Sequence, residues 1–441
     1  MRTKLTNDGT EPFQHPPFPG FNDRPPFICE LYVSKAGCEV IKDENFEEIL
    51  KEVKFRGRIK KVVELYAQCV KKISQREPTP DVVICCIPQK IIAECTVRIT
   101  SSGYSQRIRK SVGERKALKE IRTKGGFLFS EMDPTVRLVG VHNDIHRGIK
   151  AETMQYNIPT QLIKPQTLNL IEDPKKLGVQ DPATRAWNLA VGLYYKGGGI
   201  PWRMAHVEPD ICFVGISFYK EVLTNDPLMH TSMAQTFTTK GDGYVLKGAP
   251  FRWDKNESKD RSPHLDRQSA CELINSVLEF YKEQNEGILP RKLVVHKTSR
   301  FENDELAGFK DASNKIPRRD FVALGYRKIQ FYRKGNYPPL RGTYVKFTDK
   351  NMLLYTEGFI PYLRTYPGPK VPKPIEILEH HGDSPWNEIL REILMLTKMN
   401  WNSADFACKQ PITIAFARNV GEILAELPPD RPIQHEYRFY M

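Results

Sequence analysis

Between His142 and Trp202 the chain follows an order that few folds accommodate. The segment HNDIHRGIKAETMQY has helical spacing, and His146 and Lys150, four residues apart, fall on one face. A short apolar run from Ile158 to Ile163 follows and carries Gln161. The spacing then predicts a second helix from about Ala183 to Lys196, closed by Gly197, Gly198 and Gly199. Asn188 and Lys196 lie about two turns apart and share a face of it. Imidazole, ammonium, amide and a second ammonium can thus converge on one anionic group. Each member alone has a plain reading. A His/Lys pair is most often a solvated helix face, and a lysine before glycine is an ordinary helix C-terminus. It is the combination, in this order, that points to an anion site.

The rest of the chain extends this α/β pattern. Residues 1 to about 28 are rich in proline (HPPFPGFNDRPPF) and read as an extended arm. Val62, Leu65, Tyr66, Cys69, Val70 and Ile73 have helical spacing. Asp81 to Ile87, DVVICCI, is continuously apolar and predicts a strand buried on both faces. A basic segment, Arg98 to Lys124, reads as a phosphate-tracking or solvated loop. From Ile211 a second unit begins with the buried-type strand ICFVGIS. It continues with a strand–turn–strand over Phe237 to Gly248, a helix over Ser269 to Glu283 and the strand KLVVH. Further strands are expected at FVALG, GTYVKF and NMLLYTEG, and helices at Trp386 to Lys398 and from about Thr413. The formal charge of +13 favours a polyanionic partner, and 40% hydrophobic residues suffice for real cores. Arg300, Arg318, Arg319, Arg327, Lys328 and Arg341 add candidate strand contacts in the second half. No apolar run reaches membrane-spanning length and the N-terminus has no apolar signal region, so a cytoplasmic protein without a membrane partner is expected. The nine cysteines show no paired metal spacing and are expected as reduced thiols.

The elements HRGIK, NIPTQLI, WNLAVGLYYKGGGIPW and ICFVGIS resemble the MID–PIWI half of Argonautes, specifically the short prokaryotic members. The resemblance runs from about Pro80 to the C-terminus. It implies an α/β fold, with a Rossmann-like MID domain followed by an RNase H-like PIWI domain. The expected divisions are an arm and helical segment over 1–75, MID over 76–202 and PIWI over 203–441. By motif, His146, Lys150, Gln161, Asn188 and Lys196 would bind the 5′-phosphate and first base of a guide strand. This chain has His146 where many members have Tyr. The Met441 carboxylate would be a ligand for Mg²⁺ at the guide 5′ end.

The resemblance also bears on catalysis. RNase H-type cleavage needs several carboxylates to hold two divalent ions. The expected catalytic positions here carry Ser217, Thr298 and Phe416. Hydroxyls cannot replace the lost charge, so a cleavage-inactive PIWI domain is expected. The alternative is an active guide-directed endonuclease with a relocated metal site drawn from Asp242, Asp304 or Asp349. A third reading is a basic nucleotide-binding scaffold without a guide. The resemblance further implies a small guide RNA, a single-stranded DNA target and a role in prokaryotic immunity. It implies as partner an APAZ-containing effector, a TIR or sirtuin-like NADase or a nuclease, forming a heterodimer that oligomerises on activation.

Overall fold

The computed structural model of the protein describes residues 17–34, 37–95, 144–169, 180–205, 208–219, 229–237, 243–251, 253, 262–326, 329–335, 338–348, 351–361, 371–402, 408–428 and 431–441. The basic segment 98–124, Arg327, Lys328, Asp242 and Asp349 lie outside the described residues.

The first core forms around helix α2. Helices α1 (Asp43–Lys51) and α2 (Phe55–Ser74) bury Phe46, Ile59, Val62, Val63, Tyr66 and Val70. These pack with strand β1 (Val83–Cys86), helix α3 (Gln89–Cys95), helix α4 (Ile145–Thr153) and Ile158. The expected division near residue 75 therefore runs through one hydrophobic core, because the stripe on α2 has no other apolar surface to cover it. The Tyr66 hydroxyl donates to the Cys86 carbonyl at 2.5 Å and fixes α2 against β1. Strand β2 (Thr160–Ile163) pairs with β1 in parallel, with Val83 opposite Thr160 and Cys86 opposite Ile163. The expectation that DVVICCI is buried on both faces is corrected here. Val83 and Cys85 face the core while Ile84 and Cys86 are exposed.

Helix α5 (Pro182–Lys196) is capped by the Asp181 side chain, which accepts from the Thr184 N–H at 3.0 Å. Its Trp187, Val191 and Tyr195 turn into a second core, shared with the C-terminal tail. The proline-rich arm docks on the same helix. Phe18 meets Trp187 at 5.4 Å and Phe27 meets Tyr194 at 5.1 Å between ring centroids, both edge-on. The sequence left open whether the arm is covered. Phe27, 2% exposed, anchors it, with Phe18 and Phe21 packed beside it.

The second half is an eight-stranded mixed sheet. Its strands are β3 (Ile211–Tyr219), β4 (Met229–Phe237), β5 (Val245–Phe251), β6 (Lys292–Lys297), β7 (Arg318–Tyr326), β8 (Tyr344–Lys346), β9 (Met352–Leu354) and β10 (Ile375–Gly382). They lie in the order β5-β4-β3-β6-β7-β10-β9-β8, with β3, β6 and β7 parallel and the flanking pairs antiparallel. Helices α6 (Arg267–Gln284) and α7 (Asn303–Ala312) cover one face. Helices α8 (Trp386–Leu396) and α9 (Ile412–Leu424) cover the other. Gly215 lets α9 lie directly on β3, since a Cβ there would come 2.1 Å from the Thr413 carbonyl oxygen. Among the described residues no helix is long and apolar enough to cross a membrane, and all nine cysteines are free thiols.

A buried ion network ties this sheet to α8. Lys292, 1% exposed, reaches Asp320 at 3.2 Å, Glu388 at 2.8 Å and Glu392 at 2.6 Å. Arg318 joins through Glu388 and the Ser384 hydroxyl. Arg341 donates to the Leu394 carbonyl and the Thr397 hydroxyl, and Arg300 pairs with Glu379. These three arginines, read in the sequence as candidate strand contacts, have structural partners. Removing Lys292 would leave buried carboxylates without a counter-charge, so Lys292→Met is expected to cost about 3–5 kcal/mol, read as a lowered urea midpoint.

Candidate nucleic-acid site

The site is built where α4, β2, α5 and the C-terminal tail meet. Asp144 caps α4 by accepting from the His146 and Arg147 N–H groups at 2.9 and 3.1 Å. One turn later Lys150 turns inward and is 1% exposed. Its ammonium donates to the Thr160 carbonyl at 3.0 Å and to the main-chain oxygen of Met441. Lys196, at the last turn of α5, is also 1% exposed. It donates to Gln161 Oε1, and Gln161 in turn donates to the Leu162 carbonyl at 3.0 Å. Gly192 faces this cluster, where a Cβ would stand 3.6 Å from Gln161 Oε1 and 3.9 Å from Met441 Cε.

The tail is held from both halves of the molecule. The Tyr437 N–H donates to the Gly243 carbonyl at 2.9 Å, and the Val245 N–H to that of His435. Tyr437, Phe439, Tyr440 and Met441 are all buried. Tyr437 stacks on Phe416 of α9 with ring centroids 3.7 Å apart. Arg147 pairs with Glu422, Arg431 with Glu152, and Gln434 donates to the Met154 carbonyl, so α4 and the single turn that follows it, Met154–Tyr156, are clamped to the sheet half.

Four of the sequence-predicted groups therefore come together: Lys150, Gln161, Lys196 and Met441. His146 lies at the exposed rim on the same helix face as Lys150. Asn188 lies farther along α5 on the face of Gly192 and Lys196, where its amide donates to Gln180 Oε1 at 3.1 Å. The Thr160 carbonyl carried no sequence signal, because any residue supplies a carbonyl, whereas Asp144 just before the helical spacing is a readable N-cap.

The electrostatics favour an anion. No acidic side chain among the described residues pairs with Lys150 or Lys196. Burial pushes Lys150 down to about 8, with Cys85 opposing. Burial, then Lys150, drives Lys196 well below the usual lysine range. Two ammoniums beside one main-chain oxygen do not by themselves make a site for a divalent cation, which needs several oxygen ligands.

The expected nuclease positions are arranged differently. Ser217 is half-buried on β3 opposite Ser232, and by strand alternation it lies on the α9 face with Gly215. Thr298 is exposed just beyond β6. Phe416 is in the core under Tyr437. His296 shares a 2.8 Å hydrogen bond with the Thr413 hydroxyl, and burial holds its imidazole down at about 3, so it is neutral. Asp304 is exposed in the first turn of α7, on the opposite face of the sheet from Ser217. No group of three or more His, Cys, Asp or Glu among the described residues is placed to hold a metal.

This fold, a MID-like α/β unit docked on an RNase H-like sheet, is that of Argonautes. It matches the Clostridium butyricum Argonaute bound to a guide DNA (5′ deoxycytidine) and a 19-mer target DNA, with a TM-score of 0.54 at 18% identity, over 83% of this chain and 40% of that one. In sequence the chain is related to the protein argonaute of Aquifex aeolicus (strain VF5), 23% identical over 285 residues. That alignment covers 63% of this chain and 35% of the relative, so the chain spans about a third of the length of the curated protein it matches. No protein-family profile matches it.

A phosphate bound between the two ammoniums would raise their proton affinity again, so binding above about pH 8 must take up protons. Affinity for a 5′-phosphorylated oligonucleotide is expected to fall as pH rises through about 8, where Lys150 loses its proton, by up to about tenfold per pH unit. Calorimetric titrations across this range in buffers of different ionisation enthalpy would report the proton uptake, and a flat profile would exclude the two-lysine pocket.

Proposed function

We propose that this chain is a guide-holding Argonaute module that binds a 5′-phosphorylated guide and does not itself cut the target. The carrying observation is the Lys150–Lys196 pair, two buried ammoniums at a seam between the two halves. A burial of this kind is costly unless an anion compensates it. A terminal phosphate supplies the charge and several acceptor oxygens at once. Gln161 is hydrogen-bonded to Lys196 and adds an amide, while His146 at the rim offers a ring edge to a first base. Mg²⁺ would join here only with phosphate oxygens as most of its ligands, beside the Met441 oxygen.

The finer reading follows the short prokaryotic members that the motifs resemble. The guide is a small RNA and the target is invading single-stranded DNA. Pairing switches on an APAZ-containing TIR or sirtuin-like effector, or a nuclease, in a cytoplasmic immune heterodimer that oligomerises on activation. Base pairing reads the sequence and the protein holds backbone and shape. The lack of cleavage is supported by Ser217, Thr298 and Phe416, none of which can give a hard metal an anionic oxygen.

The deciding experiment compares 5′-phosphorylated and 5′-hydroxyl guides on the wild type and on Lys150→Met and Lys196→Met, which keep side-chain bulk. Each variant is expected to lose roughly tenfold or more of the phosphate preference, from a charged hydrogen bond of about 1.5–3 kcal/mol. Lys196→Met is also expected to melt higher than the wild type, because it removes a buried charge with only an amide partner. Unchanged preference for the phosphorylated guide would sink the assignment. With guide loaded and Mg²⁺ or Mn²⁺ added, a complementary strand is expected to stay intact. Cleavage abolished by changing Asp242, Asp304 or Asp349 would establish the relocated nuclease instead.

A further inference from the structure

A cavity lies at the far edge of the sheet, beside β8. It has a volume of about 540 Å³ and is lined by Phe331, Tyr332, Arg333, Leu340, Tyr355 and Phe359, among others. Its walls are fixed by backbone. The Arg341 N–H donates to the Phe359 carbonyl at 3.0 Å, the Phe359 N–H to that of Pro339 at 2.9 Å and the Gly342 N–H to that of Tyr355 at 2.8 Å. The Tyr355 hydroxyl accepts from the Phe331 N–H at 2.8 Å. Gly358 makes this closure feasible, since a Cβ there would meet the Pro339 oxygen at 2.5 Å and the Arg341 nitrogen at 2.7 Å. The cavity is therefore preformed, of a size that suits a small planar group.

Its chemistry is aromatic and cationic. Tyr332 is 94% exposed at the mouth. The Arg333 guanidinium lies 5.8 Å from the centroid of the Phe359 ring. Lys334 and Lys346 stand exposed alongside. No carboxylate occurs among the described residues that line the cavity. An apolar peptide would be indifferent to this charge, and an acidic peptide has no need of stacking faces. A strand of nucleic acid uses both: bases stack on aromatic rings and guanidinium planes, and phosphates pair with the flanking cations.

We propose that this groove binds unpaired bases of single-stranded nucleic acid, with Tyr332 as the stacking platform and Arg333 meeting base or phosphate. The site is separate from the guide-end pocket and does not depend on a 5′-phosphate. It gives the module a second hold on a strand, one that reads the presence of a base rather than its identity.

The test uses the full chain and 5′-hydroxyl strands of about 12 nucleotides, within the length such sites cover. Binding is measured by fluorescence anisotropy for a normal strand and for one with abasic positions throughout, on the wild type, Tyr332→Ala, Arg333→Ala and Lys150→Met. Tyr332→Ala is expected to weaken the normal strand about tenfold and the abasic strand little. Lys150→Met should lower the preference for a 5′-phosphorylated over a 5′-hydroxyl strand and leave the ratio of normal to abasic binding as in the wild type, so a failure of the phosphate pocket is read separately. Bromouridine-substituted strands should photocrosslink to the peptide carrying Tyr332. Equal loss on normal and abasic strands would reduce the groove to generic charge and overturn the proposal. So would unaltered nucleic-acid binding in a Tyr332→Ala variant that no longer retains a protein partner, which would make the groove a peptide site.

Discussion

Two lysine ammoniums buried side by side impose the condition that the rest of this structure meets. Lys150 and Lys196 come from different helices, and each has turned inward where a surface lysine would reach for water. Lys292 shows what the same burial looks like when the chain compensates it. There, Asp320, Glu388 and Glu392 surround one ammonium, and they hold its proton more tightly than usual despite burial. At the seam the partners are a carbonyl, an amide oxygen and the Met441 main-chain oxygen. The first arrangement stabilises the fold; the second leaves positive charge for something else to neutralise. Burial of one residue type thus separates into scaffold and site by counting acidic side chains.

The seam also explains why so much apolar surface is committed to the C-terminal tail. Tyr437 is stacked on α9 and Met441 closes the pocket, so the last turn of chain links the sheet to the lysines. Helix α9 lies on β3 at Gly215 and reaches α4 through Arg147 and Glu422. A strand end held by Lys150 and Lys196 would accordingly be held by both halves at once. Separating the halves would require expelling four buried tail side chains as well as breaking the clamp pairs.

Legibility in the sequence followed chemistry. The apolar strands β3, β6 and β7 and the helices α5, α6, α8 and α9 were readable because burial on a sheet interior or on one helix face leaves an apolar pattern. Of the expected hairpin only the second strand was legible, as β5; the first, β4, ends at Phe237, where the expected strand began. Strand β10, IEILEHHG, was not readable. Its Glu376 is buried against Asn351, and His380 is bonded to Asp320 at 2.7 Å, so polar residues occupy inward positions. Lys150, Gln161, Lys196 and Met441 were all placed by motif, and the geometry brings these four together. The arginines of β7 and its surroundings could not be sorted from sequence, because an ion-pair partner such as Glu388 lies 70 residues away from Arg318.

The two proposed sites set a length scale. The tail that meets Lys150 is bonded at β5, and the aromatic groove lies beside β8, at opposite ends of the strand order. Seven inter-strand steps of about 4.8 Å span on the order of 30 Å. A stacked strand rises about 3.4 Å per nucleotide, so this corresponds to roughly ten nucleotides. A strand anchored at its 5′ end would need about that many before an unpaired base could reach Tyr332. Pairing over the intervening stretch would stiffen the strand and change whether that base is presented. The distance between a charge-driven anchor and a stacking-driven groove would then convert the extent of pairing into occupancy at the far edge of the sheet.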